Sequence, residues 1–169
     1  MKRKIALILI PVLLLLIAAF YVLRVPNSKY PETNFAFRFE FGSCDNDVLD
    51  TFAGTFTKDM IVEPAITIPL ELSEEQMVAI YQKMEQIDFF DYPAVFTIPK
   101  PEGMQSPAMQ YYIEVRNGNV TKTVRWDGEY FSKSDRQANN LEDLFYMIMK
   151  MIWEHPDYLQ LPELKAGCV

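Results

Sequence analysis

Nineteen consecutive residues, Ile5–Leu23, carry no charge, and they lie between Lys2-Arg3-Lys4 and Arg24. A helix rises about 1.5 Å per residue, so this run spans roughly 29 Å, close to the hydrocarbon thickness of a bilayer. Pro11 inside the run is acceptable in a membrane helix. A cleaved signal peptide needs a shorter apolar core and small residues at its cleavage site, whereas Ala18-Ala19 is followed by Phe20, Tyr21 and Val22. No cysteine stands near the end of the run, which excludes a lipoprotein anchor. The expectation is an uncleaved anchor over residues 1–24, a linker over 25–34, and one outer domain over 35–169. The basic triplet outweighs Arg24 and Lys29, so the positive-inside rule places the N-terminus in the cytoplasm and the domain outside a cell membrane crossed once.

All 23 acidic residues lie beyond this leader, against 12 of the 16 basic ones, which leaves the outer part with a formal charge of −11. Such a surface is a poor partner for nucleic acid and is repelled by anionic lipid. The linker carries Pro26 and Pro31, and its ten residues reach at most about 35 Å. The domain is therefore held close to the bilayer.

Phe35, Phe37, Phe39 and Phe41 alternate with Ala36, Arg38 and Glu40, the period of a half-buried strand. Gly42–Asp50 reads as an Asp/Asn-rich turn, Thr51–Thr57 as a second strand, and Ala65–Leu72 as a third that Pro69 pushes to an edge. Ser73-Glu74-Glu75-Gln76 is a capping box. Met77, Ile80, Tyr81, Met84 and Ile87 follow at helical spacing as far as Asp88. A proline loop from Pro93 to Pro107 is long enough to serve as a recognition loop. Asn117-Gly118 marks a hairpin between Tyr111–Arg116 and Asn119–Trp126. A second helix is expected from Asn139-Asn140 to about His155, with Leu141, Leu144, Phe145, Ile148 and Ile152 on its core face. The order β-β-β-α-β-β-α predicts an α+β domain: an antiparallel sheet of about five strands with two helices on one face.

Chemistry-bearing residues are sparse. Asp45, Asp47 and Asp50, with Asp59 nearby, gather carboxylates of the kind that hold a divalent cation. The EF-hand pattern fails, because Leu49 stands where a ligand belongs and Asp50 where the turn glycine belongs. His155 is the single histidine, too little for a zinc site. No G-x-S-x-G elbow, phosphate loop or dinucleotide fingerprint is present, and no cofactor is expected. Cys44 and Cys168 are the two cysteines available for a disulfide, which would close a loop of more than 100 residues. Leu144–Trp153 is apolar almost all round, so Met147, Met149, Met151 and Trp153 offer a partner surface beside the core face.

In Phe39–Cys44 (FEFGSC), Leu49–Met60 (LDTFAGTFTKDM), Leu70–Pro93 (LELSEEQMVAIYQKMEQIDFFDYP) and the hairpin followed by a final helix, the chain resembles small secreted or membrane-anchored ectodomains, mainly of Gram-positive bacteria. The resemblance covers most of residues 35–162. It implies a cell-envelope location and brings no assigned activity and no catalytic residues.

The leading expectation is a membrane-tethered, non-enzymatic binding or accessory module of the cell envelope. Its partners would be the bilayer, through Ile5–Leu23, and an envelope protein or a second copy, through the second helix. The alternative is an extracytoplasmic metal-dependent enzyme or cation-binding protein using the Asp45–Asp50 turn.

Overall fold

A computed structural model describes residues 34–98, 109–127 and 135–164. The expected anchor, nearly all of the linker and most of the proline loop lie outside the described residues. Among the described residues no helix is long and apolar enough to cross a membrane.

The chain runs β1 (Ala36–Gly42), β2 (Asp47–Asp50), β3 (Thr55–Met60), β4 (Glu63–Pro69), α1 (Glu74–Gln86), a 3-10 turn (Phe89–Asp91), β5 (Val95–Phe96), β6 (Gln110–Asn117), β7 (Val120–Asp127), α2 (Arg136–Trp153) and a last 3-10 turn (Tyr158–Gln160). The strands form one sheet in the order β4-β3-β2-β1-β6-β7-β5. The domain is α+β, as the element order predicts, but it has seven strands rather than about five. The sheet is also mixed, since β5 runs parallel to β7. Both additions are short. Four residues of β2 and two of β5 give too few alternations to register against a polar or proline-rich background.

β1 sits at the centre, paired with β2 on one side and β6 on the other. Its alternation places Phe37, Phe39 and Phe41 in the core. Burying such a side chain contributes about 2–3 kcal/mol. Phe145 of α2 lies 5.1 Å from Phe39 and 4.9 Å from Tyr111, centroid to centroid, and Tyr81 of α1 meets Phe35 edge-on at 5.4 Å. Both helices thus cover the same face of the sheet. The opposite face carries Arg38, Glu40 and Asp50, joined by ion pairs of 2.9 and 3.3 Å.

α1 starts as its sequence predicts: the Gln76 amide donates to Ser73 Oγ and the Ser73 amide to Gln76 Oε1. It ends where Asp88 adopts a left-handed φ of 56°. α2 begins earlier than Asn139-Asn140. Asp135 is its N-cap, accepting the Ala138 amide at 3.0 Å, so Ala138 joins the core. The Tyr92 hydroxyl donates to the Gln137 carbonyl and clips the segment after α1 onto this helix start. β4 is an edge strand, consistent with Pro69. The expected strand over Thr51–Thr57 is instead a turn followed by β3. Asp50 Oδ1 accepts the amides of Phe52 and Ala53, and Gly54 takes a φ of 66°. The hairpin loop is Gly118-Asn119, one residue later than expected, since Asn117 still pairs with Val120.

The turn between β1 and β2 depends on Gly42. A Cβ there would stand 1.9 Å from the Asp45 carbonyl oxygen, a backbone atom that cannot swing aside. Gly42→Ala is expected to destabilise the fold by about 2–3 kcal/mol, read as a lower midpoint in denaturant unfolding. An unchanged midpoint would show that the turn relaxes freely.

Candidate functional site

The expected acidic site divides. β2 has period two, so Asp47 and Leu49 face the helices while Val48 and Asp50 face the other way. Asp50 belongs to the open face, bound to Arg38 and to its own turn. Asp59 accepts the amides of Asn46 and Ile61. Asp45 accepts the Ser43 amide. Asp45, Asp50 and Asp59 each close a turn, Asp47 accepts an amide across the β2–β3 pair, and among the described residues no three of His, Cys, Asp and Glu are placed to hold a metal ion. Asp47 and Asp50 lie on opposite faces of β2, so the structure does not bring all four aspartates to one surface.

Two of them meet other residues instead. Asp45 and Asp47 line an open cleft of about 360 Å³ at the Gly42 end of β1, together with Trp153, Tyr158, Glu163 and Leu164. Asp47 is 6% exposed and Lys58 8%, and they are the buried charged residues of the described domain. Lys58 lies next to Phe56 on the inward face of β3. Its Nζ donates to the Pro162 carbonyl at 2.8 Å and lies 5.3 Å from the centre of the Tyr158 ring. An ammonium held over a ring and against a carbonyl is compensated for much of its lost hydration. Lys58 thereby pins the C-terminal tail against the sheet.

Asp47 Oδ1 accepts the Asp59 amide at 2.9 Å. Burial pushes the Asp47 carboxyl up to about 6. The Asp59 amide and the Lys58 charge pull it down, while the charges of Asp45 and Asp59 push it further up.

The expected partner surface on the second helix divides as well. Met149 is buried, so it belongs to the core rather than to a partner face. Met147 and Met151 are half-buried and pack against that core. Trp153 is 37% exposed and Tyr146 56%, their rings meeting edge-on at 6.1 Å. α2 advances about 100° per residue, which turns neighbouring methionines to different sides. His155 lies just past the helix end, where its Nδ1 accepts the Asp157 amide. Cys44 is disulfide-bonded. Cys168, the only other cysteine of the sequence, lies outside the described residues.

Lys58, Tyr158 and Glu163 were not singled out by the sequence. The parity of Phe56, Lys58 and Met60 was the one available signal for Lys58. Nothing local signals that the tail turns back onto the β1–β2 turn. The chain matches no protein-family model, and no curated protein or solved structure matches it.

Two outcomes test this site. Between about pH 4 and pH 6 the folded chain keeps a proton on Asp47 that the unfolded chain releases. The resulting stabilisation is full at low pH and is lost as pH rises through about 6. Asp47→Asn keeps an oxygen for the Asp59 amide. It should be more stable than the parent at neutral pH by up to roughly 3 kcal/mol and indistinguishable near pH 4 in thermal unfolding. A variant less stable at neutral pH would contradict the assignment. Reduction, or Cys44→Ser, should lower stability by about 2–5 kcal/mol, and the unfolded, unreduced chain should show no thiol to an alkylating reagent.

Proposed function

We propose that this chain is a membrane-tethered binding or accessory module of the cell envelope, held outside the membrane by Ile5–Leu23 and working without catalysis. The observation that supports this reading is the placement of the two ends of β1. Asn34, just before β1, exchanges hydrogen bonds with Gly118 at the tip of the β6–β7 hairpin. The cleft begins at Gly42, at the other end of the strand. Eight residues of extended chain separate them by about 26 Å. With an anchor upstream of Asn34, the cleft lies at the end of β1 remote from the point where the chain enters the domain. Tethering raises the local concentration of an envelope partner without any new contact.

The test uses the full chain in its own membrane. The protein should stay with the bilayer after an alkaline wash, and protease added outside protoplasts should remove the domain. A photo-crosslinker in place of Trp153 should yield a discrete envelope adduct that the same group at Thr67, on the β4 edge, does not. Release by the wash, or protection from the protease, would overturn the tethered reading. Identical crosslinking from both positions would overturn the cleft as its contact site.

A further inference from the structure

We infer that the end of the domain where the tether enters is a lipid-contact surface, seated on the phosphate headgroups of the outer leaflet through Phe52, Arg116 and Val120. This rests on the tethered reading, since it takes the bilayer to lie just beyond Asn34.

Two loops flank that entry. The Thr51 amide donates to the Phe37 carbonyl at 2.9 Å, which fixes the turn carrying Phe52 beside the start of β1. On the other side Arg116 stands opposite Ala36, and Asn34 holds Gly118 at the tip of the hairpin that carries Val120. The Arg116 guanidinium lies 4.8 Å from the centre of the Phe52 ring, so this side chain crosses the start of β1 and joins the two loops. Phe52 and Val120 are both exposed.

The charge sets the kind of surface that fits. Arg38, on the same face of the sheet, is paired with Glu40 and Asp50. Among the described residues the Arg116 guanidinium makes no ion pair, and it rests on the Phe52 ring instead. An unpaired guanidinium beside an exposed ring and an aliphatic side chain matches a bilayer interface. Rings settle there at headgroup level, and a guanidinium binds phosphate through two parallel hydrogen bonds. The contact is local, because the domain as a whole is acidic, and Glu71 reaches the same end beside Gly54. Phospholipid whose phosphate is balanced by its own amine therefore suits this surface better than anionic lipid.

The tether decides which end meets the lipid. The opposite end also exposes apolar side chains, with Val62 of the β3–β4 hairpin foremost. To bring that end to the bilayer, the linker would have to run back along β1, about 26 Å. Ten residues of relaxed chain span roughly 17–19 Å, so the near end reaches the lipid at the higher effective concentration. Two side chains and one charge would not bind a free domain. They are enough to orient one already held there.

The full-length chain is reconstituted into phosphatidylcholine vesicles with a diazirine amino acid in place of Phe52, Val120 or Val62, one at a time. Lipid adducts are measured by mass spectrometry after irradiation. The groups at positions 52 and 120 should label lipid at least about fivefold more than the group at position 62. Exposure alone predicts the reverse order for the two valines, since Val62 is 77% exposed and Val120 54%. Arg116→Glu should lower labelling from position 120 about threefold, and Arg116→Lys should retain most of it. Equal labelling from positions 62 and 120, no lipid adduct at position 120, or full labelling in Arg116→Glu would overturn the inference. So would an adduct at position 120 to a second copy of the chain in place of lipid. Any of these results in a chain that resists the alkaline wash overturns this inference alone and leaves the tethered reading standing. Release by the wash overturns both.

Discussion

Everything in this domain is built on the inward face of β1. It is the central strand, and its three buried phenylalanines sit under both helices at once. Phe39 touches Phe41 and Phe145, while Phe35, just before the strand, reaches Tyr81. A one-residue slip would turn these rings to water and bring Arg38 and Glu40 inside. The alternation therefore determines the register of β2 and β6, and through them the position of the strands beyond.

The same strand separates the two ends of the molecule. At its start, Asn34 and Gly118 join the incoming chain to the β6–β7 hairpin. At its end, Gly42 allows a turn so close that no side chain fits. That turn presents Asp45 and leads into Asp47, and the tail closes over it through Lys58. Burial raises the Asp47 carboxyl to about 6, so its charge costs the folded chain stability at neutral pH.

The strand alternation, the α1 capping box, the core face of α2 and the edge position of β4 were all legible, because each rests on contacts within a few residues or on a simple period. β2 and β5 were not legible, because strands of four and two residues carry no period of their own and form only where a neighbour offers a ladder. The start of α2 was placed late because Asp135 caps a helix as well as the asparagines that follow. At the site, Asp45, Asp47 and Trp153 were singled out for separate reasons, as metal ligands and as a partner surface. Their meeting in one cleft depends on the tail, which leaves no local mark.

By itself the sequence determined an apolar run long enough to span a bilayer, an acidic domain beyond it, and the two faces of the central strand and of each helix, since these follow from composition and periodicity. The tertiary structure alone decided which carboxylates share a surface. Asp47 and Asp50 are three residues apart, yet the pleat sends them to opposite faces, while Lys58 and Pro162, more than a hundred residues apart, come within hydrogen-bonding distance. Short separation along a strand does not bring side chains together. Only the pairing of strands and the return of the tail could make the cleft.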